Sequence, residues 1–139
     1  MILQDDREES AERIRNTLRK YNREFFTDSE TINLYEEDGD KLIGGLTATR
    51  DFDSIYIDYL VVDKDYRKKG IGRRLILQLE NIAREKKVKR IMLNTYSFQS
   101  PGFYERMGFK ANLIIDPVFS NYKHYHFIKE ILYVENSNQ

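Results

Sequence analysis

A basic loop punctuated by glycines, set between an apolar strand and an amphipathic helix, constrains this chain more than any other feature. The loop Arg67-Lys68-Lys69-Gly70-Ile71-Gly72 follows the apolar segment Ser54 to Asp63. It opens a segment whose apolar residues recur at helical spacing, at Ile71, Leu75, Leu79 and Ile82. Val88 to Tyr96 then alternates as a strand does. This order favours a parallel strand pair joined by a right-handed crossover.

The residues before the loop predict one helix and a hairpin. Ala11, Ile14, Leu18 and Tyr21 fall at helical spacing. Thr31 to Glu37 and Lys41 to Thr49 read as strands, and Asp38-Gly39 between them is a hairpin signal. With the strand Ser54 to Asp63 they make an antiparallel meander. The pair Gly44-Gly45 indicates a bulge or a close approach of another group to the backbone.

The residues after the crossover predict a short helix and two more strands. The helix lies near Ser100 to Met107 and ends at Gly108, a favourable C-cap. The strands lie near Phe109 to Ile115 and Tyr122 to Val134. The fold class is therefore a mixed α/β (α+β) single domain over residues 1–139, with a disordered tail at 135–139. The second of these strands is a candidate edge for pairing two copies as a homodimer.

Composition excludes several classes of function. The 139 residues carry 23 basic and 23 acidic side chains, a balance that argues against coating nucleic acid or an anionic membrane. No apolar run approaches the roughly 18 residues of a membrane helix. The start, Met1 to Glu9, is polar and acidic, so we expect no signal peptide and a cytoplasmic location. The chain has no cysteine, which excludes disulfides, thiolate metal sites and an acyl-cysteine intermediate.

The loop has the chemistry of a pyrophosphate site. Glycines let backbone N–H groups converge on one point, and the start of a helix adds free donors and partial positive charge. The alternative is a tight turn with solvated charges. Two other phosphate motifs do not fit: a P-loop needs Gly-Lys-Ser/Thr, and a dinucleotide motif needs a third glycine where this chain has Leu75.

At this point the residues carry a resemblance to a known family. Leu60 to Gly72 resembles the acetyl-CoA motif of the GNAT N-acetyltransferases, Arg/Gln-x-x-Gly-x-Gly/Ala after an apolar strand. Pro101 to Phe109 is similar to the family's Phe-Tyr-x-x-x-Gly-Phe segment. The resemblance covers roughly Ile32 to Ile131. It implies a sheet that splays between its fourth and fifth strands, here Ser54 to Val62 and Val88 to Tyr96, with acetyl-CoA as cosubstrate between them and no metal.

The resemblance also implies the residues that contact the cosubstrate. Backbone groups of Leu60, Val61 and Val62 would meet the pantetheine. The pyrophosphate would lie on Arg67, Lys68, Lys69, Gly70, Ile71, Gly72 and Arg73. Asn94, Ser97, Ser100 and Phe103 complete the predicted set, although Ser97 stands where relatives often have Asn and Ser100 where Ala is common.

Acetyl transfer to an amine needs a base for the ammonium and an acid for the departing thiolate. Tyr104 matches the family's tyrosine acid, since a phenol stays protonated at neutral pH; the alternative is a packing aromatic. Asp58 is the candidate base, because the period of two places it on one face with Tyr56, Leu60 and Val62. We expect it to be partly desolvated there, and the alternative is a solvated rim aspartate.

The remaining residues leave alternatives open. His124 and His126 share a strand face and could form a metal pair, but a third ligand is not evident. We expect most members of one aromatic set to lie in the core: Tyr21, Phe25, Phe26, Tyr122, Tyr125 and Phe127. The leading function is transfer of acetyl to a small amine or a peptide by direct attack in a ternary complex. The alternative is a catalytically weak acyl-CoA-binding or regulatory module.

Overall fold

The computed structural model describes residues 1–133, which form three helices and a six-stranded sheet. In chain order the elements are α1 (Glu8–Asn22), β1 (Ser29–Asp38), β2 (Lys41–Asp51), β3 (Ser54–Val62), a 3-10 turn (Lys64–Tyr66), α2 (Ile71–Glu85), β4 (Arg90–Tyr96), α3 (Pro101–Arg106), β5 (Lys110–Phe119) and β6 (Tyr122–Glu130). The predicted tail at 135–139 lies outside the described residues. Within the described range, no helix combines the length and apolar character needed to cross a membrane.

The sheet runs in the order β1-β2-β3-β4-β6-β5. All neighbouring strands are antiparallel except β3 and β4, which are parallel and joined through α2. The predicted meander and crossover are therefore confirmed. One expectation is wrong: β6 lies between β4 and β5, so its backbone is paired on both sides, and the edges of the sheet are β1 and β5.

The core lies between α2 and one face of the sheet. Of the predicted stripe of α2, Ile71, Leu75 and Leu79 are buried there and Ile82 is half-buried. Outside the predicted stripe, Ile76 and Ala83 are also fully buried. From the sheet, Ile55, Ile91 and Phe127 are equally inaccessible. A partly buried ion pair also joins α2 to β6, with Lys129 Nζ 2.6 Å from Glu80 Oε1. We call this side of the sheet the helix-covered face and the other side the open face.

The helix α1 forms where its spacing predicts it but packs on nothing in the described chain. Its stripe residues Ile14, Leu18 and Tyr21 are 71%, 60% and 71% exposed, and no α1 residue is buried. This corrects the expectation for the aromatic set. Only Phe127 is buried and Tyr125 is half-buried, while the remaining four are exposed: Tyr21, Phe25, Phe26 and Tyr122.

The expected close approach at the glycine pair is confirmed. A Cβ on Gly44 would lie 2.6 Å from Cγ2 of Ile71, the first residue of α2. A Cβ on Gly45 would lie 3.1 Å from the Cβ of Tyr35 on β1. The missing side chain at Gly44 therefore lets α2 begin directly against β2, which fixes the position of the basic loop.

We expect Gly44→Ala to destabilise the fold by about 1–3 kcal/mol, the usual cost of overpacking a core contact. The measurement is the free energy of unfolding in urea. Ile71→Ala removes the methyl group that the new Cβ would meet, so the double variant Gly44→Ala/Ile71→Ala should lose less than the sum of the two single losses. Additive losses, or no loss in Gly44→Ala, would contradict this account.

Candidate active site

The strands β3 and β4 pair for only three positions and then separate. The pairs are Ser54 with Arg90, Ile55 with Ile91 and Tyr56 with Met92. Beyond them β3 stays on β2 and β4 stays on β6 as far as Tyr96. The gap that opens toward the carboxyl ends of both strands, here called the V, matches the splay that the resemblance implies. In this chain the two strands are the third and fourth rather than the fourth and fifth, because three strands precede the crossover.

The basic loop at the mouth of the V is a cradle of backbone donors. Gly70 precedes α2 with φ at +81°, a left-handed conformation that glycine adopts without strain. The first helical bond of α2 is donated by Arg74 N–H to the Gly70 carbonyl. Within the described residues, nothing accepts a hydrogen bond from the backbone N–H groups of residues 68–73. These backbone N–H groups at the start of a helix are therefore available to bind an anion.

Gly72 brings the loop, β3 and α3 together. A Cβ on Gly72 would lie 3.3 Å from Cζ of Phe103 and 3.7 Å from Cγ2 of Val62. Phe103 in turn meets Tyr104 edge to face, with ring centroids 5.1 Å apart. The predicted residues Gly72, Val62 and Phe103 are therefore in one place, next to the candidate acid.

The cations of the loop are only partly free to meet a ligand. Lys69 Nζ lies 5.1 Å from the centre of the Tyr66 ring, and Arg67 Nε donates to the Val62 carbonyl at 3.2 Å. Arg73 reaches the sulfur of Met107 at 3.9 Å. Sequence reasoning missed Arg74, whose guanidinium bonds both Glu36 on β1 and the Lys69 carbonyl. Its side chain fixes the shape of the loop.

Two of the three predicted contact residues on β3 direct their backbone groups into the V. Asp63 N–H donates to the Ile43 carbonyl on β2, and backbone groups alternate in direction along a strand. Val61 therefore directs its N–H and C=O toward β2, whereas Leu60 and Val62 direct theirs into the V. The bond from Arg67 Nε to the Val62 carbonyl agrees with this direction.

Asp58 lies at a bulge, which corrects the expected face and burial. Ile57 pairs with Ala48 and Tyr59 with Thr47, so Asp58 is the extra residue on β3. The bulge breaks the period of two, and Asp58 is exposed rather than partly desolvated. Its carboxylate accepts a hydrogen bond from Thr49 Oγ1 at 2.8 Å. Thr49 was missed because its position depends on a register that no local pattern encodes.

A hydrogen bond closes the apex of the V on the open face. Asn94 Nδ2 on β4 donates to the hydroxyl of Tyr56 on β3. Burial, and then the negative charge of Asp58, raise the pKa of Tyr56, so its phenol stays protonated. Asn94 was predicted at this site, whereas Tyr56 was noted only as a neighbour of Asp58. The period of two along β3 was the signal that placed it there.

Tyr104 is buried at 9% exposure among the rings of Phe103, Phe109 and Phe127. Burial raises the pKa of Tyr104, so its hydroxyl remains a proton donor throughout the neutral range. No described residue hydrogen-bonds that hydroxyl, and no buried side-chain oxygen of the described chain lacks a hydrogen-bond partner. The hydroxyl oxygen is therefore not fully enclosed, although the ring is packed in the core.

The remaining predicted residues differ in their contacts. Ser97 Oγ accepts from Lys123 N–H at 2.9 Å, which ties the loop after β4 to β6. Ser100 sits at φ +121° before α3 and makes no side-chain cap. On β6, His124 packs on the Tyr96 ring at 4.7 Å, and His126 Nδ1 lies 2.6 Å from Asn112 Oδ1. Among the described residues, no group of three potential metal ligands includes the two histidines.

Comparisons with known proteins agree with this geometry. Residues 2–109 match the profile of the Acetyltransferase (GNAT) family. The chain belongs to the GNAT acetyltransferase family. A Bacillus cereus acetyltransferase of known structure superposes with a TM-score of 0.76 at 29% identity, over 94% of this chain and 97% of that one.

Two further relatives cover less of the chain. A Bacillus anthracis structure solved with acetyl coenzyme A has a TM-score of 0.63 at 27% identity, over 72% of this chain and 62% of that one. Blasticidin-S acetyltransferase from Streptomyces morookaense is 38% identical over 71 residues, 50% of this chain and 52% of the relative. The match thus spans about half the length of that curated protein.

The GNAT site fits acetyl-CoA on its own chemistry. The donors of residues 68–73 suit a pyrophosphate, and the backbone groups of Leu60 and Val62 suit the amides of a pantetheine. Because residue 72 is a glycine, no side chain fills the space between Phe103 and Val62 that a Cβ would occupy. These residues would hold the cosubstrate, which supplies an acetyl thioester when bound.

We expect Gly72→Val to lose acetyl-CoA binding, because its branched side chain would enter the space beside Phe103. The measurement is the change in melting temperature when saturating acetyl-CoA is added. In the wild type this temperature should rise, because acetyl-CoA binds the native state. Gly39→Val is a control at a glycine with no neighbour within 4 Å, in the β1–β2 turn. It should lose some stability to its positive φ but keep the ligand-induced shift. An unchanged shift in Gly72→Val would place the cosubstrate elsewhere.

Proposed function

We propose that this chain transfers the acetyl group of acetyl-CoA to a primary amine by direct attack in a ternary complex. The observation that carries the proposal is the placement of a proton donor beside the anion cradle: Phe103 contacts the Gly72 position, and Tyr104 follows it. The absence of cysteine favours direct attack over an acyl-enzyme route. An acceptor screen that measures release of the CoA thiol tests the proposal.

Asp58 is the base in this proposal. An alkylammonium has a pKa near 10 and must lose a proton before its nitrogen can attack a carbonyl carbon. The Asp58 carboxylate is exposed on the strand that forms one wall of the V, and its Oδ2 accepts a hydrogen bond from Thr49 on the neighbouring β2. It accepts the ammonium proton either directly or through one water molecule.

Tyr104 is the acid. As the new C–N bond forms and the C–S bond breaks, the leaving sulfur takes up negative charge, and the Tyr104 hydroxyl donates a proton to it. The second proton, which the nitrogen loses on becoming an amide, returns to the Tyr104 oxygen directly or through water. The raised pKa of Tyr104 keeps that proton in place at neutral pH. Tyr56 and Asn94, bonded to each other at the apex, fix the separation of the two walls between which this transfer takes place.

Tyr104→Phe should lower kcat by about 10²-fold, the usual scale for the loss of a general acid. The affinity for acetyl-CoA and the unfolding midpoint should hardly change, since the ring keeps its contacts with Phe109 and Phe127. Steady-state kinetics and calorimetric titration give these two readouts. Wild-type turnover in Tyr104→Phe would reduce this residue to a packing role, whereas no release of the CoA thiol by the wild type with any acceptor would favour the acyl-CoA-binding module.

Asp58→Asn should lower kcat/KM by about 10²-fold for alkylamines and leave acetyl-CoA affinity intact. An acceptor amine of low pKa is largely unprotonated at neutral pH, so its rate should fall much less. Asp40→Asn, in the β1–β2 turn, is the matched carboxylate control and should behave as wild type. If the loss is the same for amines of high and low pKa, Asp58 does not act as the base.

A further inference from the structure

An aromatic cluster stands at the carboxyl end of β4, and the proposed chemistry does not use it. Tyr96 and Phe98 stack with centroids 5.2 Å apart and planes 5° apart. Phe119 and Tyr122, from the β5–β6 hairpin, meet Phe98 edge-on at 6.2 and 5.0 Å. We call the surface formed by Tyr96, Phe98, Phe119 and Tyr122 the aromatic shelf.

The shelf presents much of its ring surface to solvent. Phe98 and Phe119 are 55% and 50% exposed, and Tyr122 is 38% exposed. Apolar area of this kind, gathered in one place, marks a binding surface more often than chance exposure. Four exposed or half-exposed rings in mutual contact therefore indicate a binding surface.

The loops that carry the shelf are held in place by hydrogen bonds. Gln99 Oε1 accepts from Tyr96 N–H at 2.8 Å, which closes the turn that contains Phe98. Ser97 N–H donates to the Lys123 carbonyl at 2.9 Å, and Lys123 N–H donates back to Ser97 Oγ at 2.9 Å. The shelf is thus formed before any ligand arrives, which lowers the entropic cost of binding.

The shelf lies on the side of the V from which an acceptor must enter. The cradle and Tyr104 belong to α2 and α3, on the helix-covered face. Asn94, which bonds Tyr56, lies on the open face, and Tyr96 is two residues further along β4, about 7 Å away on the same face. An acceptor that reaches the V from the open face therefore passes the shelf.

The charges in the two loops of the shelf cancel, and the titratable ring of His124 packs against Tyr96 beside them. The segments 97–100 and 116–123 contain only two charged side chains, Asp116 and Lys123. These two form an ion pair, with Lys123 Nζ 3.5 Å from Asp116 Oδ2. A neutral aromatic surface without a spare carboxylate suits a flat, uncharged ring better than a second cation.

We propose that the aromatic shelf is the acceptor subsite, and that the acceptor is a primary amine attached to a planar unsaturated ring. The ring stacks against Phe98 while the amine extends along β4 into the V. The inference rests on the proposed function and adds to it the class of substrate. It assigns Phe98 the role of a specificity residue, with no part in the chemistry.

The test compares benzylamine with cyclohexylmethylamine, which has the same carbon skeleton but a saturated, non-planar ring. Because benzylamine is also the less basic of the two amines, the readout is the change in the ratio of their kcat/KM values when Phe98 is removed. Phe98→Ala should lower the ratio in favour of benzylamine by about tenfold, the usual scale of one aromatic stacking contact, through KM and with kcat and acetyl-CoA affinity unchanged. Phe52→Ala is the matched control, because Phe52 is 46% exposed in the β2–β3 turn, at the end of β3 away from the open end of the V.

Equilibrium titration of benzylamine into the CoA-bound protein separates this inference from the proposed function. Saturable binding that weakens about tenfold in Phe98→Ala supports the subsite even if turnover is absent. Equal binding of the two amines, or equal binding by wild type and Phe98→Ala, overturns it while amine acetylation can still stand. Stronger binding of 1,5-diaminopentane than of benzylamine, lost in Phe98→Ala, would make the shelf a cation site and would also overturn it.

Discussion

The site depends on one constraint, the loss of pairing between β3 and β4 after Tyr56. Parallel strands in a continuous sheet satisfy each other's backbone groups, but these two satisfy only three positions. Beyond that point the backbone groups of Leu60 and Val62 face the V without a strand partner. They are available to a ligand because no neighbouring strand pairs with them. An extended molecule with amide groups can take the place of that strand.

Two contacts of α2 connect the walls of the V. Gly44 lets α2 begin against β2, so the basic loop lies at the mouth, next to the end of β3. On the other wall, the partly buried pair of Glu80 and Lys129 joins α2 to β6, and Lys129 Nζ also bonds the Met107 carbonyl after α3 at 2.7 Å. One helix thus contacts both walls of the gap.

The open face differs in character from the helix-covered face. The bulge at Asp58 turns its carboxylate outward, and the rings of the shelf stand on the same side of β4 as Asn94. The exposed stripe of α1 adds further apolar surface in the described chain. In the proposed reaction, donors for the cosubstrate on one side and the acceptor subsite on the other would give the two reactants separate routes to one gap, as a ternary complex requires.

The sequence by itself determined the elements and the crossover, because each depends on short-range spacing, and its resemblance to the GNAT motifs singled out the basic loop and Tyr104 as candidate site residues. Glycines, a helical stripe and alternating strands act over a few residues, and a local pattern encodes them. The tertiary structure decided what depends on register between distant segments. The bulge at Asp58, its bond to Thr49 and the bond between Tyr56 and Asn94 arise only when strands far apart in sequence align. The exposure of Phe98 was equally out of reach, since whether an aromatic ring lies in a core or on a surface depends on what other segments cover it.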